Sequence, residues 1–177
     1  MPVAHAGGQG GVVLPAPSDR LGCRGVDVGE RPAVWWVGVH GGAGESTLEQ
    51  LFVGSRAAGH SWPQTAAGVA PACVVLVART HAHGLSSAQS AIREWAAGHV
   101  EVLLIGLVLI ADAPGRLPRP LARLAGLVCG GVPAAWSLPW IEAWRLGEPP
   151  APHNAPRVAR QLLADLQVMT EADASAI

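Results

Sequence analysis

Lysine and tyrosine are absent from this sequence, phenylalanine occurs once, and all twelve basic residues are arginine. Alanine, glycine and proline are abundant, which fits a GC-rich coding sequence, so individual alanines and arginines carry less meaning than usual. The missing lysine carries more, because it leaves no ammonium for any site that relies on one. Charged residues make up 14%, below the usual quarter. Net charge is near zero and no basic stripe is visible, so no nucleic-acid patch is expected. The three cysteines, Cys23, Cys73 and Cys129, lack CxxC spacing. An odd number of them with no secretory signal at the start points to a reducing, cytoplasmic setting. The longest apolar run, residues 102–111, falls far short of the ~20 residues a membrane helix needs. No membrane span is expected, and the run reads as a buried strand.

What is present suffices for a core, since half the residues are hydrophobic. Residues 1–31 are rich in glycine, proline and small side chains without a period, and are expected to be a disordered tail. Residues 32–148 carry the regular pattern. Strands are predicted over 33–39, 73–79, 102–111 and 134–138, each apolar throughout or ended by small residues. Helices are predicted over 46–58, 86–97 and 118–129, with a helical turn at 140–146 and a loop at 60–71. Ser46 and Glu49 fit a capping box, and Ser86 or Ser87 stands near the cap of the second helix. Residues 149–155 read as a proline-rich spacer. Residues 156–170 read as an amphipathic helix with Val158, Leu162, Leu166 and Met169 on one side, and 171–177 as a tail. Apolar strands alternating with helices predict an α/β three-layer sandwich with a short, mostly parallel sheet. In such sheets ligands bind at the carboxyl ends of the strands.

The loop after the first predicted strand is therefore the place for a site. It reads His40-Gly41-Gly42-Ala43-Gly44-Glu45-Ser46-Thr47. Glycines let the backbone wrap so that successive N–H groups converge on an anion, and a following helix adds its positive end. The stretch resembles the deviant phosphate loop of the MinD/ParA family of ATPases, KGGxGK[ST]. Gly41, Gly42, Gly44, Ser46 and Thr47 match. His40 stands in place of the family's signature lysine, Glu45 in place of the main phosphate-binding lysine, and Val39 where a glycine is usual. The resemblance runs weakly over residues 33–147, with one strand–helix unit expected to be missing between Phe52 and Cys73. The pattern, including LPWIEAWR at 138–145, is also similar to an uncharacterised actinobacterial family.

The resemblance implies a reduced P-loop NTPase-like fold and an ATP/Mg site at residues 40–47, with Ser46 as the magnesium ligand. The exchanged residues argue against tight nucleotide binding and against catalysis, so no catalytic residue is assigned and no cofactor is expected. Glu45 can instead fold over its own loop as an internal stand-in for phosphate, a carboxylate at a helix start being favourable by ~0.3–1 kcal/mol. Asp112, at a strand's carboxyl end, fits either the family's metal-holding Asp or a residue near a base. It also fits a turn before Pro114 and Gly115. His81 and His83 can share a metal with His40 or His60, although solvent-facing loop histidines are the plainer reading. Trp136, Trp140 and Trp144 recur at spacing four, as core or as an anchor for a protein partner. The C-terminal helix either packs on the domain or reaches a partner.

Three functions stay open. The first is a non-hydrolysing regulatory or scaffold protein of MinD/ParA type, as a homodimer or paired with a related ATPase. The second is a weakly active ATP-binding protein using His40, Arg79 and Arg116 for the lysines. The third is a plain interaction module.

Overall fold

The computed structural model describes residues 15–174 apart from positions 28, 152 and 154, and only the backbone of 171–174. Seven strands and five α-helices follow a short 3-10 turn at Pro17–Asp19. The main sheet contains β2 (Val34–Gly38), β3 (Ser55–Gly59), β5 (Ala72–Arg79), β6 (Val102–Ile110) and β7 (Ala135–Leu138). Its order is β3-β2-β5-β6-β7, and every neighbouring pair is parallel. A separate two-stranded parallel sheet pairs β1 (Gly22–Gly25) with β4 (Ser61–Gln64). The helices are α1 (Glu45–Leu51), α2 (Ala82–Ala96), α3 (Arg119–Cys129), α4 (Glu142–Arg145) and α5 (Arg157–Ala174).

Side chains alternate across each strand, and the two faces of the sheet bury separate cores. Trp35, Val37, Val74, Leu76, Leu107 and Leu109 face α2 and α3, with Leu85, Ala88, Ile92 and Val128 packed on them. Val34, Trp36, Val75, Val77, Val108 and Ile110 face the other way, onto Leu48 and Leu51 of α1 and Ala159, Leu162 and Leu166 of α5. Both Trp35 and Trp36 are buried. The result is the expected α/β three-layer sandwich. No helix among the described residues is long and apolar enough to cross a membrane.

Several local expectations are corrected. The first helix stops at Leu51 rather than 58. Phe52 turns extended as its C-cap, and Gly54 adopts φ +83. The chain then enters β3, whose Ser-Arg-Ala-Ala-Gly sequence carries little strand signal. Pairing with β2 overrides that propensity. The buried Trp36 indole donates to Ser55 Oγ at 2.8 Å, and Ser55 Oγ donates to the Phe52 carbonyl at 2.7 Å. Between Phe52 and Cys73 the chain therefore forms two strands, and β4 lies inside the predicted 60–71 loop. Within the expected 1–31 tail, residues 22–25 form β1 against β4. Residues 1–14 of that tail lie outside the described residues, as do 175–177 of the C-terminal one.

The C-terminal helix packs on its own domain. Its buried side is Ala159, Leu162 and Leu166, while Val158 is 43% exposed and Met169 37% exposed, so the expected stripe is rotated. Trp136 Nε1 on β7 donates to Asp165 Oδ2 on α5 at 2.9 Å. Hydrogen bonds from Trp136 and Gln161 hold the Asp165 carboxyl below its usual range, so it stays ionised as an anchor.

Candidate functional site

Parallel pairing puts the carboxyl ends of all five strands on one edge. Counted from β2, the strand order is 2-1-3-4-5, so the chain reverses direction between β2 and β5. That reversal is where doubly wound folds open a crevice. Here His40, just past β2, and Arg79, the last residue of β5, span it. The Arg79 backbone N–H donates to His40 Nε2 at 2.9 Å. The Arg79 guanidinium donates from Nε to the Gly42 carbonyl at 3.3 Å and from Nη1 to the Ala111 carbonyl at 3.2 Å. One arginine thus joins the loops after β2, β5 and β6.

His40 is 7% exposed, and both ring nitrogens are engaged. Arg79 N–H can only donate and the Gly41 carbonyl, 2.9 Å from Nδ1, can only accept. His40 is therefore the neutral Nδ1–H tautomer, an assignment made from its partners. Burial pushes its proton affinity below the ordinary histidine range. The Gly41 carbonyl pushes back, His81 and His83 lower it further, and Glu45 raises it. Gly84, at the start of α2, leaves the room: a Cβ there would stand 2.8 Å from His40 Nε2 and 2.4 Å from the Arg79 carbonyl.

A folded-state value below the unfolded ~6.5 means that the unfolded chain binds more protons as pH falls. The stability that His40 contributes is complete above about pH 6.5 and is lost as pH falls through its lowered folded value. Thermal melts of the wild type are expected to stay level from about pH 8 to 7 and to fall between about pH 6.5 and 5. In His40→Gln, which keeps an acceptor without titrating there, the fall should be shallower. An unchanged slope in that variant would remove His40 as the cause.

The glycine loop turns on Gly42 and Gly44, at φ +73 and +113, values that favour glycine. Gly44 is the N-cap of α1, with no side-chain cap, so the capping box expected at Ser46 does not form. Glu45 supplies the polar partner instead. Its carboxylate accepts from Gly44 N–H at 3.0 Å. It lies over Gly38, where an added Cβ would meet Oε2 at 2.7 Å. The loop's own acid thus engages the backbone N–H at the turn into α1. The helix behind it has only seven residues, a short dipole for an anion to use.

Beside the loop lies a cleft of about 460 Å³, within the range of small-molecule sites. Gly42, Gly44, Glu45, Ser46 and Thr47 form one wall, Arg79 and Ile110 the floor, and residues 139–141, Trp144 and Arg145 the far wall. Of the other expected loop residues, Gly41 is exposed, while Ala43 and His40 are buried behind the cleft. Asp112 is elsewhere: its N–H donates to Thr80 Oγ1 at 3.1 Å, and it lines a second depression with Arg116 and Leu121.

The histidines do not assemble as a ligand set. His81 caps α2, its Nδ1 accepting from Gly84 N–H at 3.0 Å, which displaces the expected Ser86 or Ser87 cap. His60 Nδ1 lies 2.9 Å from the Gly38 carbonyl. Among the described residues no group of three or more His, Cys, Asp or Glu can hold a metal. The tryptophans also part company. Trp136 faces α5, whereas Trp140 and Trp144 line the cleft. The far wall was missed in the sequence, because only the tertiary fold carries residues 139–145 back to the glycine loop.

Fold and site together define a doubly wound parallel α/β domain with a glycine-loop cleft at its switch-point edge. The chain belongs to DUF6668, a family of unknown function, whose model matches residues 32–162. That span begins just before β2 and reaches Leu162 in α5, so it includes both cleft walls. Comparisons with curated proteins and with solved structures return no match.

Proposed function

We propose that this is a phosphate-loop-like domain of MinD/ParA type that has given up nucleotide hydrolysis and acts as a regulatory or scaffold protein. The observation that carries the reading is the Glu45 carboxylate on Gly44 N–H, in place of a lysine reaching out of the loop. A carboxylate there satisfies the backbone internally and repels a polyphosphate. The absence of lysine from the whole chain means that no other ammonium replaces it. Arg79, the cation nearest to hand, is tied to two carbonyl oxygens. Pairing with a second copy or with a related ATPase follows from the family resemblance alone.

The test is calorimetric titration of the purified chain with ATP and magnesium. No saturable heat is expected up to about 1 mM nucleotide. A micromolar dissociation constant would overturn the reading and turn attention to the arginines as replacements for the lysines.

A further inference from the structure

Three imidazoles meet where the glycine loop faces the turn between β5 and α2. The ring centroids of His40 and His81 are 4.8 Å apart, those of His40 and His83 6.1 Å, and those of His81 and His83 6.2 Å. Two of the rings accept from backbone N–H groups of that one short turn. His40 Nε2 accepts from Arg79 N–H, and His81 Nδ1 accepts from Gly84 N–H. Each bond needs a lone pair on the nitrogen, which a protonated ring does not have. The His40 bond joins the glycine loop directly to the backbone of the turn. The fit around that ring is close: a Cβ at Gly84 would stand 2.8 Å from His40 Nε2, and the residue is buried. A second proton on His40 would set donor against donor at Arg79 N–H, with little water to solvate the charge.

The charged groups around the ring come from every element packed there. From α2 and its cap, His83 and His81 become cations themselves when protonated, and their charge acts on His40. From α1, the Glu45 carboxylate opposes them, but it is already engaged by Gly44 N–H. The Arg79 guanidinium, from β5, is tied to the Gly42 and Ala111 carbonyls, with Arg145, Asp112 and Glu45 acting on its charge. Asp19 and Arg20, ahead of β1, line a depression with His83. His60 Nδ1 lies against the Gly38 carbonyl. We propose that His40 and His81 form an acid-operated latch at the switch point. Neutral, they hold the 79–84 turn onto the glycine loop; protonated, they release it, and the crevice between the ends of β2 and β5 opens. The Arg79 guanidinium keeps the loops tethered. The sheet beneath does not use the latch, since Val39 N–H donates to the Val77 carbonyl and Thr80 N–H to the Ile110 carbonyl, and no group in either bond titrates. The release is therefore local and precedes loss of the fold. His40 binds its proton less readily than an ordinary histidine, so the Arg79 bond is complete above about pH 6.5 and is lost as pH falls through the lowered value. The inference goes beyond the silenced loop and does not depend on it.

The experiment is nitrogen-resolved NMR of the full chain between about pH 8 and 4.5, which reads each imidazole's protonation beside the Arg79 and Gly84 amides. The Arg79 amide is expected to move with the midpoint of the His40 ring, and the Gly84 amide with that of the His81 ring. At the pH where the latch opens, both amides should lose at least about tenfold in protection against hydrogen exchange while Val108 and Leu109 in β6 keep theirs. His83→Gln takes a cation from beside His40 and should move the Arg79 midpoint to higher pH. His81→Asn supplies a cap that does not titrate; Gly84 should then stop responding while Arg79 still does. A charged His40 ring with an unmoved Arg79 amide would overturn the proposal, as would a His40 ring that stays neutral throughout. Loss of protection in β6 in step with Arg79 would mean unfolding rather than a latch. An Arg79 midpoint that stays put or falls in His83→Gln would also overturn it.

Discussion

Glu45→Lys is expected to raise the affinity of the glycine loop for ATP by about three powers of ten. The swap removes a repulsion and adds an attraction. Each charge at ~4 Å from a phosphate contributes on the order of 4 kcal/mol at an effective dielectric of ~20, so the pair is worth roughly 8 kcal/mol before screening. Gly41 and Gly42 are exposed, and solvent with salt should remove about half of that. About three powers of ten in affinity remain. The backbone needed for the gain exists already, with Gly42 and Gly44 at positive φ and Gly44 N–H freed once the carboxylate is gone. Calorimetry with ATP and magnesium checks it, beside Glu45→Gln as the variant that removes repulsion alone. Gln should recover about half the free energy. If neither variant binds at about 1 mM, Glu45 is not what silences the loop.

Leu162→Ala is expected to lower stability by about 2–5 kcal/mol, the usual cost of a large cavity in a core. Leu162 is fully buried, in one cluster with Trp36, Leu48 and Leu166. Domains of this kind have about 5–15 kcal/mol in hand, so the loss is a large fraction. In a thermal melt it corresponds to about 5–15 °C for a chain of this size. The control is Val158→Ala on the same helix, 43% exposed, expected within about 0.5 kcal/mol of wild type. Equal, small effects for both would mean that α5 is an appendage rather than part of the core.

The buried strands β2, β5 and β6 and the helices behind them were legible because hydrophobic runs and glycine stops are local signals. The glycine loop was legible for the same reason, being one contiguous stretch. The misses share a physical cause. β3 is built from Ser, Arg, Ala and Gly and becomes a strand only because β2 offers it an edge. β1 and β4 exist as strands only through each other. His81 caps a helix that starts earlier than the serines suggested, since its imidazole can accept from Gly84 N–H. Arg145 and Trp144 reach the glycine loop through β7 and α4, a route that no local pattern encodes. Arg79 was singled out as a cation at a strand end, but its ties to Gly42 and Ala111 are tertiary.

The wholly parallel sheet has a consequence for how the chain assembles. No pair in it can close as a hairpin, and each waits for a crossover. Closure entropy grows with the logarithm of the loop, and the β2–β3 crossover, residues 39–54, is shorter than the 80–101 and 111–134 stretches that precede β6 and β7. The N-terminal unit of β2, α1 and β3 can therefore pair first as the chain emerges during synthesis. The sheet then grows from β5 through β6 to β7. α5 arrives last, and until it docks, the apolar face around Trp136 and Leu138 on β7 is uncovered. A nascent chain halted before Arg157 should therefore be a client for chaperones, and completion of one helix should release it.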